Sequence, residues 1–208
     1  MAAELDAKVA GILAEYDARS ETERTAHEAG WDADTRRDQL LLRIGPDTGR
    51  LINLLIKGAA ARHILEIGTS YGYSTVWLAE AARATGGRVT TLDLAKYKQD
   101  YARGMLERAG LAACVEWRCG EALELLKTIA GPIDFVLIDL WKDLYIPSFD
   151  LVAPKLAPGA LVVADNMRYP SYSRPDAEAY RAHVRRAAGM QSVLLEVGSG
   201  IEVTRYEP

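Results

Sequence analysis

Residues 63–74 read HILEIGTSYGYS, a short apolar run that ends in a turn with two glycines. The apolar run is continuous rather than alternating, which is typical of a strand covered on both faces. Glycines let the backbone turn tightly and let a ligand come close to it. A helix that begins near Ser74 presents free N–H groups, which suit a carboxylate or a phosphate. The stretch therefore predicts a strand, a turn that can bind a ligand, and a helix.

Similar apolar runs recur along the chain, and each is followed by a helical pattern. They are Val89–Leu92, Ile133–Ile138 and Leu161–Ala164, with a weaker run at Cys114–Trp117. Strands and helices in alternation imply a parallel sheet with right-handed crossovers. The C-terminal end differs, because 192–197 and 201–206 flank the turn Gly198-Ser199-Gly200 and predict an antiparallel hairpin. We predict an α/β, Rossmann-like, doubly wound fold with a mostly parallel seven-stranded sheet.

The N-terminal region has helical patterns. One apolar stripe at helical spacing consists of Leu5, Val9, Ile12, Leu13 and Tyr16. A second helical stretch is predicted at Gln39–Arg43, and a third begins at Pro46 and ends at Gly58. We divide the chain into a helical extension, 1–39, and an α/β domain, 40–208. The stripe has no obvious place in a minimal α/β core, so we expect it to pack on a partner subunit in a homodimer.

The composition is that of an ordinary globular protein, with 49% hydrophobic and 26% charged residues and a formal net charge of −4. This charge argues against a general phosphate-backbone binder, although composition alone does not exclude a local basic channel for nucleic acid. Cys114 and Cys119 lack the spacing of a metal site or a disulfide framework. Acidic residues near the start argue against a signal peptide, and no apolar run approaches the roughly 18 residues of a membrane span. We expect a cytoplasmic protein without nucleic-acid or membrane partners.

Two acidic residues, one in the first predicted strand and one at the end of the second, can act together with the first glycine turn. Asp93 closes the second predicted strand, where a carboxylate can accept both hydroxyls of a ribose. Its ordinary alternative is a helix cap, and the ordinary alternative for the glycines is a plain turn. Glu66 lies in a strand that should be buried, so its carboxylate needs a ligand ammonium or the N–H groups of the loop. Together Gly68 and Asp93 favour an adenosine-containing ligand.

Acidic and amide side chains also follow two later strands. Asp139 ends one apolar run, and Asp165 and Asn166 end another. If these strands are neighbours, roughly 4.8 Å apart, the side chains meet at one edge of the sheet. Two carboxylates and an amide oxygen suit Mg²⁺, and they suit zinc poorly. The alternative is a pair of caps that start the next helices.

Two residues of the loop after Asp139 add chemistry to this edge. Lys142 lies three residues past Asp139, and a lysine near a divalent cation has its pKa lowered from about 10.4 towards that of a useful base. The alternative is a solvated surface lysine. Trp141 is a large aromatic residue on the same loop and can wall an aromatic substrate. Its alternative is ordinary core packing.

These motifs resemble the class I S-adenosylmethionine-dependent methyltransferases of the cation-dependent O-methyltransferase type, and the catechol O-methyltransferases most of all. The segments that carry the resemblance are ILEIGTSYGYS (64–74), TTLDL (90–94), FVLIDLWKDLYIP (135–147), LVVADN (161–166) and GIE (200–202). Among them, D-x-W-K followed by D-N is the most specific. The resemblance implies S-adenosylmethionine as co-substrate, Mg²⁺, and a small aromatic acceptor with adjacent hydroxyls.

The resemblance also implies roles for individual residues. Those implied to hold S-adenosylmethionine are Ile44 at the methionine end, Glu66, Gly68, Ser74, Asp93 on the ribose, Gly120 and Glu121 near the adenine, and Asp139. Those implied to bind Mg²⁺ are Asp139, Asp165 and Asn166. Lys142 is the implied base, and Glu202 is implied to bind the second hydroxyl of the acceptor. The residues implied to contact the acceptor are Trp141 and Pro170, which would flank its ring, and Asn166.

The chain departs from the family's pattern before Gly45. Leu40, Leu42 and Arg43 fall near the substrate-facing positions, and an arginine is unusual beside a neutral aromatic molecule. If Arg43 faces the pocket, an acceptor with a carboxylate is favoured. Three other functions stay open at this point: a nicotinamide-dependent oxidoreductase, a non-catalytic module that binds an adenosine ligand, and a methyltransferase of the same fold that acts on a different small-molecule acceptor. The loop spacing and the two aspartates argue against the first, and the aspartates with Lys142 argue against the second.

Overall fold

The computed structural model describes residues 5–28 and 37–208 of the chain. Seven strands form one sheet in the order β3-β2-β1-β4-β5-β7-β6. Their bounds are β1 His63–Ile67, β2 Arg88–Asp93, β3 Val115–Cys119, β4 Ile133–Ile138, β5 Leu156–Ala164, β6 Met190–Leu195 and β7 Ile201–Tyr206. The first five strands pair in parallel, and β7 pairs antiparallel with both β5 and β6. The predicted Rossmann-like sheet and its C-terminal hairpin are confirmed.

Seven α-helices accompany the sheet within the described ranges. They are α1 Ala7–Glu28, α2 Pro46–Gly58, α3 Tyr73–Thr85, α4 Lys96–Arg108, α5 Ala122–Thr128, α6 Tyr145–Val152 and α7 Arg174–Val184. Buried side chains form two clusters, one on each side of the sheet. One cluster joins the sheet to α1–α4, and the other joins it to α5–α7. The continuous apolar runs of the central strands follow from this double cover. Among the described helices, none combines the length and the apolar character needed to span a bilayer.

The apolar stripe of α1 packs inside the chain, so the expectation that it covers a partner subunit is wrong. Val9, Ile12, Leu13 and Tyr16 are all at most 5% exposed and belong to the core cluster that contains α3 and α4. The Tyr16 hydroxyl donates a hydrogen bond of 2.5 Å to the carbonyl oxygen of Tyr71 in the glycine turn. The apolar stripe of α1 therefore gives no reason to expect a homodimer. The helix instead supports the turn that follows β1.

The predicted helix at Gln39–Arg43 is also wrong. A single 3₁₀ turn covers Arg37–Gln39, and the chain then runs without helix to Gly45. Leu42 has a positive φ of 45°, which breaks a right-handed helix. The proline at the start of α2 favours an extended residue before it, and Gly45 has a ψ of 162°. The leucines at 40–42 therefore form a connecting loop, and this loop reaches the functional site.

Candidate active site

Two adjoining cavities open beside the carboxyl ends of the central strands. The larger has a volume of about 450 Å³ and the smaller about 350 Å³. Leu140, Trp141, Asn166 and Pro170 line both of them. The larger cavity contains most of the residues predicted from the sequence, namely Gly68, Asp93, Gly120, Glu121, Asp139, Trp141, Asn166 and Pro170. The smaller contains Lys142.

The glycine turn after β1 depends on Gly68. Its φ is +108°, and a Cβ at this position would lie 1.9 Å from the backbone oxygen of Asp139. The amide of Gly68 donates to Leu92 O at 2.9 Å, and the amide of Asp139 donates to Ile67 O at 2.9 Å. The glycine is thus required because the end of β4 approaches it closely. This contact brings Asp139 to the floor of the larger cavity.

Glu66 supports the turn from below. Its carboxylate is fully buried and accepts hydrogen bonds from Ser74 Oγ at 2.5 Å, Thr75 Oγ1 at 2.6 Å and Thr91 Oγ1 at 2.5 Å. Burial raises the pKa of Glu66 to about 7, although these three hydrogen bonds oppose the rise. Side-chain hydroxyls therefore replace both partners expected from the sequence, a ligand ammonium and the N–H groups of the loop. Neither Glu66 nor Ser74 is among the residues that line the cavities.

Asp93 closes the glycine turn at the point where β2 ends. Its Oδ1 accepts from Ala95 N at 2.7 Å, at the start of α4, and its Oδ2 accepts from Ser70 N at 2.7 Å. The carboxylate therefore closes the glycine turn, but it does not cap α4, whose N-cap residue is Ala95 and which has no side-chain cap hydrogen bond. It also lines the larger cavity with Gly120 and Glu121. Each carboxylate oxygen keeps a second lone pair for a ligand hydroxyl.

Asp139 and Asp165 follow adjacent parallel strands, as predicted. The Asp165 amide donates to Ile138 O at 3.1 Å, so the ends of β4 and β5 are in register. Burial raises the pKa of Asp139 to about 6. Burial, and next the negative charge of Asp139, raises the pKa of Asp165 to about 7. Two carboxyl groups that oppose each other's ionisation are a suitable place for a cation.

A further observation tests whether these residues suit a metal ion. Asp165 is 2% exposed, and its Oδ1 is buried without a hydrogen-bond partner among the described residues. Such an orphaned oxygen is costly unless something binds it. In the part of the chain that the structure describes, no group of three or more His, Cys, Asp and Glu side chains could hold a metal. The predicted set has two carboxylates, and its third member is the amide of Asn166. The donor set fits a hard cation that takes oxygen ligands.

Lys142 lies between the two strand ends. Its Nζ donates to Asp165 O at 3.1 Å and to the hydroxyl of Tyr145. Burial lowers the pKa of Lys142 to about 8, while the charges of Asp139 and Asp165 oppose this shift. The pKa of Lys142 is lowered as predicted, but the cause is burial of the amine rather than a nearby metal ion. A lysine with this pKa is neutral in a large fraction of molecules at mildly alkaline pH.

Some predicted residues lie elsewhere. Glu202 is fully buried on β7, where its carboxylate accepts from Arg181 Nε at 2.8 Å, Arg185 Nε at 3.0 Å and Ser192 Oγ at 2.6 Å. It lines neither cavity, so this placement does not support a contact with the acceptor. Ile44 is 3% exposed and packs in the core cluster. Its neighbour Arg43 lines the larger cavity instead.

The sequence analysis missed several residues of the site. Tyr145 is fully buried and contacts Lys142, and its position three residues later, at the start of α6, was a usable signal. Lys98 lines the larger cavity and forms an ion pair of 2.6 Å with Asp38. Asp143, Tyr172 and Asp176 line the smaller cavity. The sequence does not mark these last residues as a group, because two 3₁₀ turns and the start of α7 bring them together.

Comparison with known proteins identifies the family. A catechol O-methyltransferase of Niastella koreensis is 36% identical over 130 residues, which cover 61% of this chain and 58% of that protein. A caffeoyl-CoA O-methyltransferase of Nicotiana tabacum is 30% identical over 132 residues, which cover 61% of this chain and 55% of that protein. The matched segment thus spans less than two thirds of either relative.

A solved structure extends the similarity to the whole fold. An O-methyltransferase from Bacillus cereus, crystallised in complex with SAH, superposes with a TM-score of 0.77 at 27% identity. The match covers 100% of this chain and 94% of that one. The sequence profile of a family described as O-methyltransferase matches residues 25–204. The chain therefore belongs to the O-methyltransferase family.

Proposed function

We propose that this protein transfers the methyl group of S-adenosylmethionine to one hydroxyl of a catechol-like aromatic molecule and that it requires Mg²⁺. The observation that carries the proposal is the larger cavity. It runs from Asp93, at the end of β2, to Asp139 and Asn166, at the ends of β4 and β5. A carboxylate suited to ribose and a set of hard oxygen ligands thus share one space. The names of the two relatives support the acceptor class, because catechol and caffeoyl groups both carry adjacent ring hydroxyls.

The glycine-turn end of the cavity suits the methyl donor. Asp93 can accept the ribose hydroxyls, and Gly120 and Glu121 lie beside it, where an adenine would extend. The Bacillus cereus relative was solved with SAH, which is the demethylated product of this donor. Asp139 lies on the same floor, next to Gly68. The donor's sulfonium is a cation, and a neighbouring carboxylate favours it.

The opposite end suits the metal and the acceptor. Asp139, Asp165 and Asn166 would hold Mg²⁺, and the unpartnered Oδ1 of Asp165 is the observation that fits it. Such an ion, when bound, supplies Lewis-acid stabilisation of an aryloxide. Trp141 and Pro170 line both cavities, where they can contact the two sides of an aromatic ring. Trp141 is 63% exposed.

The residues of the chain account for the proton and the geometry. Neutral Lys142 takes the proton from the acceptor hydroxyl, and its amine is held by Asp165 O and Tyr145. The acceptor oxygen then forms a bond to the methyl carbon as the carbon–sulfur bond breaks. Charge is neutralised in this step, so the protein contributes by orientation rather than by stabilising new charge. Holding both reactants in one geometry is worth up to about 7–11 kcal/mol in ideal cases.

A single assay tests the proposal. Purified protein is incubated with S-adenosylmethionine and a panel of catechols, with Mg²⁺ or with EDTA. Methylated product should form with Mg²⁺ and should vanish with EDTA. Product that forms equally in EDTA would remove the metal from the proposal. Failure to bind S-adenosylhomocysteine, measured by calorimetry, would remove the methyl donor and with it the proposed activity.

A further inference from the structure

Arg43 lies in the loop that connects the N-terminal region to α2, and it lines the larger cavity. The same cavity is lined by Asp139, Asn166 and Trp141, so the guanidinium shares a space with both reactants of the proposed transfer. Its side chain is 19% exposed. Its Cζ lies 5.0 Å from the centre of the Tyr73 ring, which holds the planar group from one side. The arginine is therefore fixed at the wall of the cavity rather than free in solvent.

The charge of Arg43 is only partly compensated. Its Nη1 lies 3.2 Å from Asp17 Oδ1, but the two atoms do not form a hydrogen bond. Within the described residues, Nε and Nη1 of Arg43 and Oδ1 of Asp17 are all buried without a hydrogen-bond partner. The ion pair with Asp17 thus offsets part of the charge, while Arg43 Nε keeps no acceptor among the described residues. This guanidinium keeps donor capacity for an anion.

The other charged residues of the site do not compete for that role. Lys98, also in the larger cavity, is paired with Asp38 at 2.6 Å. Lys142 donates to Asp165 O and to Tyr145. Asp143 and Asp176 line the smaller cavity, and Asp93, Glu121 and Asp139 line the larger one. Because carboxylates repel an anion, an anionic group is favoured only at the part of the larger cavity that Arg43 lines.

We infer that Arg43 binds a carboxylate in the larger cavity and sets the specificity of the enzyme for it; this inference rests on the proposed function. An arginine fork matches the planar carboxylate better than it matches other small anions of this size. Two carboxylates can reach a cavity of this kind. One is the amino-acid end of S-adenosylmethionine, and the other is an acid group on the acceptor ring. Both use the same chemistry, and the experiment separates them.

The first arm measures binding of the donor's product. S-adenosylhomocysteine and its decarboxylated analogue, 5′-(3-aminopropylthio)-5′-deoxyadenosine, are titrated into the wild type and into Arg43→Gln. If the donor supplies the carboxylate, the wild type prefers S-adenosylhomocysteine by about 10- to 100-fold, and the variant loses that preference. This binding measurement needs no turnover, so it still tests whether Arg43 binds a carboxylate if the proposed activity fails.

The second arm measures kcat/KM for 3,4-dihydroxybenzoate and for its neutral counterpart, 3,4-dihydroxybenzamide. If the acceptor supplies the carboxylate, Arg43→Gln lowers the benzoate-to-benzamide ratio of kcat/KM by about 10- to 100-fold. Arg43→Lys should keep part of the ratio, since it keeps the charge but loses the fork. If no acceptor is methylated by the wild type, the proposed function fails rather than this inference.

Arg50→Gln serves as the matched control. Arg50 lies on the exposed face of α2, close in sequence, and lines neither cavity. The Arg50→Gln substitution removes the same charge, and it should change neither the binding preference of the first arm nor the kcat/KM ratio of the second. Asp17→Asn removes the competing carboxylate while keeping the arginine, and it should keep or increase whichever preference is found. The inference is overturned if Arg43→Gln leaves both ratios within twofold of the wild type.

Discussion

The Nζ of Lys142 lies 3.1 Å from the backbone carbonyl oxygen of Asp165 and also donates to the hydroxyl of Tyr145. The segment after β4 is thereby tied to the end of β5. Lys142 cannot swing out without losing both hydrogen bonds. The amine is thus held beside the two carboxylates rather than placed by a flexible side chain. The proposed base, Lys142, is thus hydrogen-bonded to the backbone of Asp165, one of the proposed metal ligands.

Lys142→Met should lower kcat for catechol methylation by about 10²- to 10⁴-fold, because the variant has no proton acceptor. The acceptor KM should change only a few-fold, since the lysine acts mainly in the transition state. In the wild type, kcat should rise as the pH increases through about 8, where Lys142 loses its proton. The measurement is a pH–rate profile with saturating Mg²⁺. Lys127→Met, on the exposed face of α5, is the control, and an unchanged rate in Lys142→Met would exclude this base.

Metal-free protein should lose stability as the pH rises from about 4 to 7. The folded state raises the pKa of Asp139 to about 6 and that of Asp165 to about 7, from an ordinary 3.8. The protonated forms are therefore favoured by folding, and their contribution is complete below pH 3.8 and is lost through pH 6–7. Mg²⁺ should restore the melting temperature at pH 8, because it binds the ionised pair.

Asp165→Asn separates this effect from a general pH response. The variant should show a weaker fall in melting temperature and little response to Mg²⁺, while its affinity for S-adenosylhomocysteine stays within a few-fold. Scanning fluorimetry with EDTA or MgCl₂ at several pH values provides both readouts. An equal Mg²⁺ response in the wild type and the variant would contradict the assignment of Asp165 to the metal.

The central sheet could be predicted closely from the sequence, because its signals are local. Strands β1 and β4 begin and end at the predicted residues, and so does α2. A continuous apolar run and a proline at the first turn of a helix can each be recognised from neighbouring residues alone, without knowledge of tertiary contacts. The order of the strands brought Asp139 and Asp165 together as expected, since parallel strands share one carboxyl edge.

What failed depends on contacts between distant parts of the chain. The stripe of α1 was recognised, but its burial against α3 and α4 is a tertiary choice that periodicity does not encode. The partners of Glu66 are hydroxyls from α3 and β2, which the sequence places among ordinary Ser and Thr residues. The sequence marks Arg43 by its charge and by its place near the substrate-facing positions of the family. Its position in the cavity follows from the non-helical path of 40–45, which overrides the helical propensity of the leucines.

Glu66→Ala should destabilise the fold by about 3 kcal/mol or more, because it leaves three buried hydroxyl groups without their acceptor. Glu66→Gln, which keeps the shape and one acceptor oxygen, should cost less. The Gln variant should also bind S-adenosylhomocysteine within a few-fold of the wild type, since Glu66 lines neither cavity. Urea unfolding and calorimetry give the two quantities. A large loss of ligand affinity without a loss of stability would instead indicate that Glu66 contacts the ligand.

The acceptor should need two adjacent hydroxyls. A vicinal diol can reach the ion with both oxygens, whereas phenol leaves one position and its polar surroundings without a partner. We expect kcat/KM for phenol to be at least 10³-fold below that for catechol, with Mg²⁺ present in both assays. Trp141→Ala should reduce kcat/KM for both in proportion, since the ring contact does not depend on the second oxygen. Equal rates on phenol and catechol would contradict chelation even if methyl transfer were observed.

Glu202 gives the sharpest contrast between the sequence-based expectation and the structure. As a ligand of the second hydroxyl it would control which oxygen is methylated, but its buried carboxylate bridges Arg181 and the partly exposed Arg185. Glu202→Gln should therefore lower the free energy of unfolding by about 1–3 kcal/mol, because the charge-assisted hydrogen bonds to the two arginines are lost. The ratio of the two monomethylated products of 3,4-dihydroxybenzoate, measured by liquid chromatography, should not change. A shifted product ratio with unaltered stability would restore Glu202 to the acceptor site.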